Sequence, residues 1–145
     1  MASYSRILLC YNATREGRMA LREGAALARE LNAEAHLLAV VDLLGWAASY
    51  DAPVANISAI EHQAAQEILQ EGVVDLLSRG VFARGHLAIG DPMEQIPSFA
   101  ELLKTDLIVV GHHKAGRLAR WWTRDTDRLL LDRVRCSVLV VIDSV

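Results

Sequence analysis

The sequence predicts an open α/β fold built on a parallel sheet. Five short apolar runs, rich in β-branched residues, recur along the chain, and segments with a helical period of about 3.6 separate them. Composition agrees: 52% of residues are hydrophobic, 23% are charged and only three are proline, as in a compact globule rather than a disordered chain. At 145 residues the length suits one domain spanning 1–145, with one substantial core.

The first run, "SRILLCY" (Ser5–Tyr11), is almost continuously apolar, as a central strand covered on both faces requires. Thr14 then caps a first helix whose buried stripe is Leu21, Ala25, Ala28 and Leu31, with small residues that permit close approach to the sheet. "AHLLAVVD" (Ala35–Asp42) is the second strand. The loop "LLGWAASYDAPVAN" follows, long enough for a lid or binding loop. A longer second helix carries Ile57, Ile60, Ala64, Ile68, Gly72 and Leu76 on one stripe, and Ser58 with Glu61 has capping-box spacing at its start. The third strand, "FARGHLAIG" (Phe82–Gly90), alternates more than the others and is expected at a sheet edge. "GDPMEQI" opens the third helix, with Asp91 as cap, Pro92 at the first helical position and Glu94 completing a capping box. Pro97 removes a donor inside that helix, so a kink or restart is expected there. "DLIVVG" (Asp106–Gly111) and "SVLVVID" (Ser137–Asp143) are the fourth and fifth strands, with a short last helix at about Thr126–Arg133 between them.

Several classes of function are disfavoured. The net charge of −3 argues against general nucleic-acid binding, although Gly111–Arg135 carries +4 and the remainder −7. That local excess is either a solvated face or an anion site. No apolar run approaches the roughly 18 residues of a membrane helix, and "MASYSRILLCYN" has no leader pattern, so a cytoplasmic protein is expected. Cys10 and Cys136 lack CxxC spacing and read as reduced, structural thiols. His112 and His113 are adjacent, so their side chains diverge, and neither HExxH nor a Cys/His cluster surrounds them; no metal site is expected. "GHHKAGRL" has the Gly-x4-Gly spacing of a P-loop but places Arg117 and Leu118 where Lys and Ser/Thr belong, and no GxGxxG occurs. No nucleophile or acid/base pattern stands out, so the sequence predicts no enzyme and no catalytic residues. His36 and His86 fall within strands and read as face or edge residues.

Taken in order, "ILLCYNATREGRMALREGAALARELNAEAHLLAVVD", "GDPMEQI", "TDLIVVGHH" and "DRVRCSVLVVID" resemble the universal stress protein family over nearly the whole chain. The resemblance implies a single open five-stranded parallel sheet of order 3-2-1-4-5 with helices on both faces, a Rossmann-type fold of the adenine-nucleotide alpha-hydrolase kind. It also implies a homodimer formed through the last strand, here Val138–Ile142. An apolar final strand with nothing after it to cover its edge invites pairing in any case. Some family members bind ATP at the carboxyl ends of the first and fourth strands, where open α/β sheets bind ligands generally. Carried over, that site would comprise Asn12, Val41, Val110, Gly111, Lys114, Gly116, Arg124 and Asp125.

The ATP-binding members resemble one another in an aspartate after the first strand and a loop Gly-x2-Gly-x9-Gly-Ser/Thr. Gly111 matches the first glycine; Lys114 and Arg124 replace the second and third, Asp125 the hydroxyl residue, and Asn12 the aspartate. Glycines let backbone N–H groups approach phosphate oxygens, and side chains obstruct that approach. An aspartate at the start of the last helix would satisfy its free donors and repel phosphate. Lys114, Arg117, Arg120 and Arg124 offer side-chain contacts in exchange, since arginine forks suit phosphate. Trp121 and Trp122 either pack the loop down or, with Arg117 and Arg120, form a surface for a protein partner or an anion; Trp46 could join them over the crevice. The sequence therefore predicts a non-enzymatic, homodimeric regulatory or stress-protective module that binds ATP weakly if at all and needs no cofactor. The alternatives are an ATP- or nucleotide-binding switch, or a slow nucleotide hydrolase or phosphotransferase.

Overall fold

The computed structural model describes residues 4–41, 54–113 and 130–143, with side chains given from residue 62 onward in the second of these stretches. Five strands, β1 (Arg6–Tyr11), β2 (Glu34–Val41), β3 (Ala83–Ile89), β4 (Leu107–His113) and β5 (Ser137–Asp143), form one parallel sheet of order β3-β2-β1-β4-β5. Between them run α1 (Arg15–Leu31), α2 (Val54–Ser78), α3 (Pro92–Leu102) and α4 (Leu130–Arg133). The alternating strand, β3, lies at one edge and the C-terminal strand at the other.

Strand alternation divides the core into two layers. Ile7, Leu9, Tyr11, Leu37, Leu107 and Val109 face α1 and α2 and pack with Leu21, Ala25, Ala28 and Leu76. Leu8, Cys10, Leu38, Val40, Ile108 and Val110 face the other way, onto Met93, Ile96, Ala100 and Leu130. The central strand β1 is therefore buried on both faces, which its near-continuous apolar run requires. Cys10 and Cys136 are free thiols in the second layer, the former buried and the latter half-buried. Asp106 fastens β4 to the start of β1: its carboxylate accepts the N–H groups of Ser5 at 2.9 Å and Arg6 at 3.0 Å. Burial alone would push that carboxyl up, but these bonds and the Ser5 hydroxyl hold it below its ordinary value.

Thr14 caps α1, accepting the Gly17 N–H at 3.0 Å, a contact worth about 1 kcal/mol. Asn32 ends the helix in the left-handed conformation at φ 51°. Three expectations need correction. The second helix runs from Val54 to Ser78, so Ser58 and Glu61 lie inside it rather than at its start. Its buried stripe runs through Ala65, Gly72 and Leu76, with Ala64 only half-buried.

The second correction concerns α3, which runs unbroken from Pro92 to Leu102 with Asp91 as its cap, accepting the Met93 N–H at 3.0 Å. Pro97 has no N–H for the carbonyl four residues back, that of Met93. Arg133 of α4 fills the gap: its Nη1 donates to that carbonyl at 3.0 Å. The third is that β4 continues to His113, so "GHH" belongs to the strand and not to a loop.

Candidate functional site

The carboxyl ends of β1 and β4 meet the first turn of α1, and this junction forms the described part of the crevice. Beyond β1 the chain turns sharply through Ala13, which adopts the left-handed conformation at φ 64°. Asn12 holds the turn: its Oδ1 accepts the Thr14 hydroxyl at 2.7 Å, and Thr14 Oγ1 in turn accepts the Gly17 N–H. The Asn12 side chain is thus neutral and engaged with the capping Thr14.

Gly111 faces the same turn from β4. A Cβ there would overlap the carbonyl of Glu16 and come within 3.0 Å of the Gly17 nitrogen. Its φ is not positive, unlike those of Gly80 and Gly90. The glycine is required because strand and helix backbones pass too closely for a side chain.

Val110 is fully buried on the α3 face, and Val41 is half-buried at the end of β2, its carbonyl accepting the Gly90 N–H at 2.9 Å. Of the expected site residues, the structure brings Asn12 and Gly111 together against α1 and places Val110 behind the sheet surface. Lys114, Gly116, Arg124 and Asp125 lie outside the described residues, as do Trp46, Arg117, Arg120, Trp121 and Trp122.

Two acidic groups at this end of the sheet escaped the sequence reading. Glu16, in the first turn of α1, is 6% exposed, and its Oε1 has no hydrogen-bond partner among the described residues. The positive end of the helix dipole favours a carboxylate there. Asp143, ending β5, is 2% exposed and pairs with Arg15 Nε at 3.2 Å; its carbonyl lies 3.2 Å from His113 Nδ1. An acidic residue in a helix's first turn is a common sequence feature, and nothing in the spelling showed that this one is buried. Tyr11 completes the surroundings. Burial first, and its hydrogen bond to the Glu71 carboxylate second, push its phenol up to about 12, and Arg18 Nη2 donates to the same carboxylate at 3.0 Å.

No group of three metal-ligating side chains occurs among the described residues. The described part of the crevice thus holds a Gly17 N–H capped by Thr14, the buried Glu16 carboxyl and an Asp143 carboxylate paired with Arg15.

Residues 3–141 match the model of the Universal stress protein family. The chain belongs to that family. Its fold is similar to UspA of Lactobacillus plantarum, at 22% identity over 97% of this chain and 99% of that one, with a TM-score of 0.73. A universal stress protein in complex with cAMP aligns at 18% identity over 96% and 97% of the two chains, with a TM-score of 0.69. One from Archaeoglobus fulgidus in complex with dAMP aligns at 18% over 97% and 99%, with a TM-score of 0.63. None of the curated proteins compared with the chain matches it. At these identities the likeness establishes the fold. No helix among the described residues is long and apolar enough to cross a membrane.

Proposed function

We propose that this universal stress protein acts as a homodimeric regulatory or stress-protective module, without turnover and without tight ATP binding. The observation that carries this reading is the role of Gly111. It is the one position of the loop motif the chain retains, and the contact between β4 and α1 demands it whether or not a nucleotide binds. Retention of that glycine therefore reports fold. The engagement of Asn12 with Thr14, and the buried carboxyl of Glu16, support the same conclusion.

The dimer would form through β5, an edge strand with Leu139 38% and Ile142 42% exposed. Among the described residues no strand pairs with that edge, and a second copy placed edge to edge would satisfy its backbone groups. Size-exclusion chromatography with light scattering is expected to give twice the chain mass at micromolar concentration, and Ile142→Lys is expected to shift it toward the monomer. A wild-type monomer at that concentration overturns the dimer.

A nucleotide-responsive switch is the second reading. It is favoured by the relatives in complex with cAMP and dAMP and by the four cations Lys114, Arg117, Arg120 and Arg124 in the loop. Calorimetry with ATP and Mg²⁺ separates the two readings. A slow hydrolase or phosphotransferase would release ADP from ATP, and loss of that release on replacing the loop arginines would identify it.

A further inference from the structure

A chain of three polar side chains lies on the α3 face of the sheet, near the β3 edge and away from the crevice. Glu34 and His36 are two residues apart on β2 and so share a face. Glu34 Oε2 lies 2.8 Å from His36 Nε2, and His36 Nδ1 lies 3.0 Å from His86 Nε2 on β3. His36 is 4% exposed, while His86 is half-buried beside Phe99 of α3, ring centroids 5.9 Å apart. The two imidazole centroids are 5.2 Å apart with the planes 28° from parallel. That separation exceeds the nitrogen-to-nitrogen distance by about one ring diameter, so the rings meet edge to edge with their nitrogens aimed at each other.

Proton counting then limits the states. A carboxylate only accepts, so His36 Nε2 carries a proton and donates it to Glu34. The gap between Nδ1 and Nε2 holds one proton. Either His86 Nε2–H donates to a bare His36 Nδ1, whether or not His86 also carries a proton on Nδ1, or His36 Nδ1–H donates to the bare Nε2 of His86, whose proton then sits on Nδ1. A first added proton, on either ring, therefore leaves the bond intact. A second, on the other ring, places two N–H groups head to head at a distance where one must leave.

We propose that Glu34, His36 and His86 form a proton-sensing latch that releases the edge strand β3 from β2 on mild acidification, when His86 becomes a cation beside a cationic His36. Among the described residues β3 pairs with β2 and with no other strand, so it is the strand most easily freed on this side of the sheet. It is also the edge opposite β5. The charged groups around His86 point the same way. On β2 these are His36 and, beyond it, Glu34, which pairs with Arg6 of β1 at 3.3 Å; on β3 it is Arg84. From α3 the facing side chain is the apolar Phe99. Burial, then the charge on His36, then Arg84 hold the His86 imidazole below its ordinary value. The unfolded chain thus binds this proton first, and stability falls as pH drops below the unfolded value of about 6.5 toward the lower folded one.

The test is urea unfolding of the full chain between pH 7.5 and 5.0, wild type beside His86→Gln, whose amide donates to His36 Nδ1 and never ionises. In the wild type the unfolding constant is expected to rise by up to tenfold more per pH unit than in the variant, the signature of one extra proton. Imidazole ¹⁵N spectra and amide exchange of the wild type provide a reading independent of the variant. They are expected to show His86 gaining its proton together with loss of protection in β3 before β4. Equal pH slopes in the two proteins, or two imidazoles that both become charged while β3 stays protected, overturn the proposal.

Discussion

Replacing Gly111 by alanine isolates the contact between β4 and α1. Because the φ of Gly111 is not positive, alanine meets no backbone strain, and the whole effect is steric. The added Cβ would overlap the Glu16 carbonyl and approach the Gly17 nitrogen, all backbone atoms that cannot rotate aside. β4 is held between β1 and β5, so relief must come from the first turn of α1, where Thr14 caps and Arg15 pairs with Asp143. Overpacking against side chains costs about 1–3 kcal/mol, and backbone neighbours place this case near about 3 kcal/mol. For a chain of this length that lowers Tm by about 6–12 °C. Differential scanning calorimetry of the purified variant measures it. A Tm within about 2 °C of wild type would refute the claim that close packing demands this glycine.

The other expectations follow from specific partners. Arg133→Met leaves the Met93 carbonyl without its donor and is expected to cost about 1–3 kcal/mol in urea unfolding. In a Pro97→Ala background, where the restored N–H can serve that carbonyl, the same change should cost less; equal costs in the two backgrounds would contradict the pairing. Tyr11 ionises late, and the sign follows: the unfolded phenol loses its proton near 10 and the folded one near 12, so stability falls as pH rises through that window. Tyr11→Phe should abolish the component of the tyrosinate absorbance titration near pH 12. A titration unchanged by the substitution would count against the buried contact with Glu71.

Much of this fold was legible because two periodicities are written plainly. The five runs became five strands, and the alternation of β3 correctly placed it at an edge. Boundaries were less legible where local signals competed. Ser58 and Glu61 mimic a helix start inside a helix. Pro97 looked disruptive because its compensation comes from Arg133, remote in sequence. The candidate site was only partly legible. The spacing of Gly111 from Lys114 and Arg124 showed the altered motif, whereas the reason for Gly111 lies in a contact with Glu16, and that distance exists only after folding. The meeting of His36 and His86 depends likewise on the register of β2 against β3, which no local pattern encodes.

Isothermal titration calorimetry of the wild-type protein with ATP and Mg²⁺ tests the central claim most directly, with tryptophan fluorescence recorded alongside. The account predicts no saturable heat up to about 1 mM ATP, equivalent to an affinity weaker than about 4 kcal/mol. Saturable binding at micromolar ATP, abolished by Arg124→Ala, would contradict it and make the basic loop a nucleotide site.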